Sequence, residues 1–178
     1  MNDRAAAVED PSAALVALYE DVQRSSMQGL PIVNPALAVE AVAFAPWDGR
    51  WLGIMVTPWF MNVVLAPLDP HAWQPLPMGE KRFEPLPAGD FEFIGAFDER
   101  VGEFRICSLF SPVLEFDDQA TARFVARTAR DALLEPAVAA PEAPPGPLRR
   151  IEQAFHEPQS RARFLHAWLP EPGDGPRR

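Results

Sequence analysis

Apolar residues along this chain fall into short alternating or continuous runs, bracketed by Gly, Pro, Asn and Asp, with a helix-period segment at either end of the strand-like region. The densest run extends from Trp47 to Pro67 and holds three of the five tryptophans. Within it, Asp48-Gly49 suits a tight type I′ turn, whose two central residues need φ > 0. Trp51 to Val56 is apolar at nearly every position, the pattern of a strand buried on both faces. Pro58 has no N–H for a ladder bond, so the strand should end or bulge there. A second apolar segment, Phe60 to Leu65, contains Asn62 as its only polar residue. Val39 to Phe44 should pair with Trp51 to Val56 across the Asp48-Gly49 turn.

The flanking pattern supplies the other elements. Ser12 to Gln28 reads as a helix with Leu15, Leu18, Tyr19, Val22 and Met27 near one face, Ser12 as its cap and Gly29 and Pro31 as its stop. Residues 69–78 carry Pro70, Pro75 and Pro77 and read as loop, with His71 and Trp73 inside it. Glu80 to Leu86 fits an edge strand. Phe91 to Phe97 and Glu103 to Leu109 fit two more, joined through residues 98–102. Asp117 and Asp118 suit the start of a second helix running to about Leu134, with Ala120, Phe124, Ala129 or Arg127, and Leu133 or Leu134 on its apolar side and Arg123, Arg127 and Arg130 toward solvent. The expected fold is α+β: a mostly antiparallel sheet of about five strands, with both helices against one face. The expected division is a flexible N-terminus (1–11), the α+β domain (12–135), a Pro/Ala-rich linker (136–147) and a basic tail (148–178).

Composition narrows the function classes. The 178 residues suffice for one domain with a real core. The net charge is −9, which argues against nucleic acid or anionic lipid as the main partner. Charge is unevenly placed: residues 149–178 carry six arginines against four acids, a net of +2, which leaves −11 for residues 1–148. An acidic body suits either solubility or attraction of a basic peptide. Cys107 is the single cysteine, so no internal disulfide is expected. The N-terminus shows no secretory pattern, and the 16-residue stretch Trp51–Ala66 is too short and broken to span a bilayer. The expectation is a soluble cytoplasmic protein.

Candidate chemistry is sparse. The sequence contains no Gly-x-Ser-x-Gly elbow and no glycine-rich phosphate loop. His71, His156 and His166 lie in the loop and the tail, with no spacing that suits a metal site. Cys107 in an alternating strand reads as a small core residue. Neither a cofactor nor catalysis is expected, which favours a binding protein. Trp59, Phe60 and Met61 beside a proline break either pack inside or grip a partner.

The run Gly49 to Met61 resembles the Trp-x-Gly and Thr-Pro-Trp signature of the HybE/HupJ type of nickel–iron hydrogenase assembly chaperones. The resemblance continues through Leu65-Ala-Pro67, Leu86-Pro-Ala-Gly89 with Phe91, and Cys107-Ser-Leu-Phe-Ser-Pro112. It covers roughly Leu15 to Leu134. It implies a cytoplasmic accessory protein that holds a hydrogenase precursor. The client implied first is the iron–sulfur small subunit with its twin-arginine export signal, and the large subunit is the other candidate. The partner-binding candidates are Trp47, Trp51, Pro58, Trp59, Phe60 and Met61, forming an apolar ledge. Ser160-Arg-Ala-Arg-Phe-Leu165 resembles the core of such a signal; on this view the tail occupies the client groove until a real signal displaces it. The alternative from another class is a small ligand-binding or enzymatic domain with a pocket at the Thr57-Pro58 break.

Overall fold

The structure, a computed structural model, describes residues 9–136. Residues 1–8, the linker from residue 137 and the tail, with its Ser160–Leu165 motif, His156 and His166, lie outside the described residues.

Strands β1 (Glu40–Trp47), β2 (Arg50–Val56), β3 (Met61–Pro67), β4 (Lys81–Leu86), β5 (Gly89–Asp98) and β6 (Gly102–Phe110) form one sheet in the order β1-β2-β3-β6-β5-β4. Every neighbouring pair is antiparallel. Six strands stand where about five were expected: every strand-like segment of the sequence forms one, and β4 pairs with β5 through all six of its residues despite Pro85. Asp48 (φ 46°) and Gly49 (φ 72°) both lie in the left-handed region, as the I′ turn requires. Leu52 to Val56 are all buried, as a strand covered on both faces demands.

β1 is longer than expected and carries a bulge. Val42 faces Ile54 and Ala45 faces Leu52, so Ala43 and Phe44 together oppose Gly53. Ala43 takes φ 54° to make the kink. The Phe44 ring then lies on Gly53, and a Cβ at position 53 would fall inside that ring. The glycine of the Trp-x-Gly motif is thus a seat for an aromatic ring.

Helix α1 (Ser12–Val22) passes into a π-helical turn, Gln23–Met27, before Gly29 (φ 76°) ends it. Its N-cap is Pro11, not Ser12 as expected, and Asp10 accepts from the Ser12 N–H at 2.9 Å. Helix α2 (Gln119–Leu134) starts under the Asp118 cap, whose carboxylate accepts from Thr121 N–H at 2.7 Å. The buried side of α2 is Ala122, Val125, Ala126, Ala129 and Leu133, whereas Phe124 is 59% exposed. Small alanines let the helix backbone approach the sheet, and the bulky phenylalanine is left outside.

The helices cover opposite faces of the sheet, which corrects the expectation of one shared face. Leu15 and Tyr19 of α1 pack with Met55, Val64, Ala66 and Phe104. Glu40 lies opposite Val56, on the other face from Met55, and there it receives α2. Arg123 binds Glu40 with two bonds of 2.6 and 3.0 Å, and Gln119 adds one of 2.6 Å. Burial pushes the Glu40 carboxyl up, but its bonds to Arg123 and Gln119 outweigh that, and the net direction is down.

The α2 face is concave. On a flat sheet β2 and β4 would stand four strand steps apart, about 19 Å at the usual spacing. Yet Glu84 of β4 bonds Arg50 of β2 at 3.1 Å and also meets Arg105 of β6. The sheet must curl to bring them together. Residues 68–80, the crossover from β3 to β4, pass beside β5: the Leu76 and Pro77 carbonyls crowd Gly95, whose N–H donates to Glu80 O at 2.8 Å.

Candidate functional site

The Thr57-Pro58-Trp59-Phe60 turn is built by its own first side chain. Thr57 N–H donates to Phe60 O at 2.9 Å, and the Thr57 hydroxyl accepts from Phe60 N–H at 3.0 Å and Trp59 N–H at 3.3 Å. Pro58 sits at a position needing no N–H, so the strand stops here as its sequence predicts. Pro58 O accepts from Asn34 N–H at 2.7 Å, and the Asn34 side chain donates to Val113 O (2.9 Å) and Phe116 O (2.8 Å). One buried asparagine therefore ties three connections together.

This turn points its aromatic residues inward. Phe60 stands edge-on to Tyr19 (5.1 Å, 84°) and to Trp59 (5.5 Å, 81°). Trp59 is 8% exposed, Met61 is fully buried and Pro58 is buried, while Phe60 is half-buried. An exposed ledge of Trp59, Phe60 and Met61 is not what the structure shows. The turn tips Trp59 beneath α1, where Leu15, Tyr19 and Met55 complete its surroundings. Burial, with Asp98 nearby, pushes the Tyr19 hydroxyl up to about 12.

Trp47 and Trp51 lie at the other end of β2, so the six partner-binding candidates form two groups. Both tryptophans are half-buried. Trp51 packs on the α1 side opposite Ala66. Trp47 stacks on the Arg50 guanidinium, 4.8 Å from ring centre to cation. Arg50 opens an ion network that the sequence did not reveal. Glu84, 6% exposed, sits between Arg50 and Arg105, which is 4% exposed. Arg105 also donates to Gln74 O and stacks on Trp73 at 4.0 Å, and Trp73 donates to Glu103 at 3.2 Å. This network pins the 68–80 crossover onto the concave face. The only signal for it was charge at alternating positions of strands that pattern as buried.

A second feature escaped the pattern. Ala13, Val16, Ala17 and Glu20 of α1 face Val39 and Ala41 across an open groove of about 560 Å³ at the sheet margin. The sequence shows it only as small residues four apart on the helix side away from Leu15 and Tyr19. At the Thr57-Pro58 break the hydroxyl is engaged in the turn and no ionisable group stands beside it within residues 57–60. Cys107 is buried in β6, as its alternation suggested, and His71 is exposed. Among the described residues, no group of three or more His, Cys, Asp or Glu is placed to hold a metal ion, and no helix is long and apolar enough to cross a membrane.

Comparison with known proteins gives a consistent answer. Residues 10–167 match the family described as [NiFe]-hydrogenase assembly, chaperone, HybE. The hydrogenase expression/formation protein HupJ of Bradyrhizobium diazoefficiens is 41% identical over 157 residues, covering 88% of each chain. The probable rubredoxin HupJ of Rhodobacter capsulatus is 39% identical over 120 residues; the match spans 67% of this chain and 43% of that protein. The solution structure of HybE from Escherichia coli superposes with a TM-score of 0.59 at 26% identity, covering 78% of this chain and 88% of that one.

Proposed function

The chain belongs to the HybE family of [NiFe]-hydrogenase assembly chaperones, and from that premise we propose that it holds a hydrogenase precursor in the cytoplasm without catalysing a reaction. The client in this reading is the iron–sulfur small subunit with its twin-arginine signal, kept from export until assembly is complete. The observation that carries the reading is the family match across residues 10–167. Charge supports the choice of client. Residues 1–148 carry −11, and an export signal of this kind is basic and then apolar, so the body would steer its basic end. Of the six partner-binding candidates, Trp47, Trp51 and Phe60 retain surface for contact, and Pro58, Trp59 and Met61 act by fixing α1 and the turn. The alternative of a ligand pocket at Thr57-Pro58 draws no support from the turn geometry.

The test is co-purification of the tagged full chain from cells carrying a hydrogenase operon, with and without the small subunit's signal sequence. Recovery of the precursor only when the signal is present is the expected result. Recovery of mature small or large subunit regardless of the signal would keep the holding role and move recognition away from the signal. Recovery of neither would refute the reading.

A further inference from the structure

The groove between α1 and β1 is placed where a partner strand can add to the sheet. β1 is the outermost strand and pairs only with β2. Among the described residues, no backbone hydrogen bond outside that ladder involves residues 40–47. An unpaired strand edge is a template for an extended peptide. Beside it, Ala13, Val16 and Ala17 make an apolar wall and Val39 and Ala41 a floor. Alanine at three of these positions keeps the space open.

Charge selects the occupant. Glu20 lies in the groove wall, is exposed, and has no ion pair among the described residues. Asp10, exposed, holds the Ser12 N–H where α1 enters the groove. Glu40 also lines the groove, and its carboxylate is neutralised by Arg123 of α2. An apolar trough with acids near its ends fits an extended segment whose small or apolar residues follow a guanidinium. A second copy of this chain fits poorly, because two bodies of −11 repel.

We infer that the α1–β1 groove is the docking site for the client's export signal, with the signal's apolar residues adding along Val39–Val42 and its arginine pairing with Glu20. This rests on the reading of the chain as a holder of a signal-bearing precursor. The bulge at Ala43 and Phe44 ends the usable edge, so pairing is limited to the residues before it.

The experiment uses the full chain and a fluorescent synthetic peptide with two consecutive arginines followed by a run of Leu and Ala. Ala17→Trp fills the trough and Glu20→Lys reverses its charge; both residues are exposed, so unchanged melting temperatures verify the fold. Ala17→Trp should weaken binding at least about tenfold. Glu20→Lys should weaken it about threefold or more and flatten its salt dependence. Binding should also slow amide exchange in residues 39–42. Binding of the peptide to both variants as to the parent would overturn the groove while leaving the holding role intact. Amides at 39–42 that are already protected, and that open when residues 148–178 are deleted, would overturn it in favour of the chain's own tail. Failure of the parent to bind the peptide would overturn the inference, and the co-purification above decides separately whether the holding role falls with it.

Discussion

Glu84→Gln tests the ion network that closes the curled sheet. Glu84 is the one anion between the guanidiniums of Arg50 and Arg105, and the side chains of the three are 8%, 13% and 4% exposed. Glutamine keeps the volume and one acceptor but removes the charge. Breaking a buried pair by neutralising one partner is worth about 3–5 kcal/mol, because an uncompensated buried charge is left behind. The retained acceptor and the Arg50–Asp48 contact at 3.1 Å place the expected loss near the lower end, about 3 kcal/mol. For a domain of this size each kcal/mol moves the melting temperature by about 3–5 °C, so a fall of about 9–15 °C is expected by calorimetry. Screening reaches buried pairs weakly, so the difference from wild type should persist between about 0.1 M and about 1 M salt. A fall of less than about 3 °C, or a deficit that vanishes in high salt, would refute the view that this network holds β4 over the concave face.

Asn34→Ala removes three side-chain bonds, takes the Asn34 donor from Phe116 O and leaves Val113 O with only the Phe116 N–H at 3.3 Å; denaturant unfolding should show a loss of about 2–4 kcal/mol. Gly53→Ala should destabilise by about 1–3 kcal/mol, and Phe44→Leu in the same chain should recover part of it, a coupling that a double-mutant cycle measures. Tyr19 is the only tyrosine, so phenolate absorbance reports it alone. Its hydroxyl is raised from 10.0 to about 12 in the fold, so its contribution is complete below pH 10 and is lost as pH rises through 12. Phenolate should therefore appear together with unfolding, and titration near pH 10 in a chain that remains folded would contradict the burial.

The local elements were largely legible. The Asp48-Gly49 turn, the strand stop at Pro58 and the Asp118 cap each follow from one residue's backbone or hydrogen-bonding chemistry. The placement of the helices was legible too, though the one-face expectation ran against it. A strand apolar at every position from Leu52 to Val56 needs cover on both sides, which two helices on opposite faces supply. Three features were hidden. The direction of Trp59 depends on how Thr57 closes its turn, which hydrophobicity does not encode. The buried face of α2 was only partly legible: Ala129 and Leu133 lie on it as expected, but size suggested Phe124, whereas close packing selected Ala122, Val125 and Ala126. Arg50, Glu84 and Arg105 are distant in sequence, and only the curl of the sheet makes them neighbours.

The bulge at Ala43 and Phe44 bears on self-association. A long, straight margin on an acidic domain would still invite fibril-like stacking of copies once charge is screened. Here only Glu40, Ala41 and Val42 of β1 precede the kink, roughly 10 Å of straight strand, and Pro46 removes a donor beyond it. The same kink that seats Phe44 on Gly53 thus shortens the template, so the margin can accept a brief segment of another protein yet offers too little length for copies of itself to stack into a fibre. A chain straightened at Ala43 should trade that protection for salt-induced aggregation.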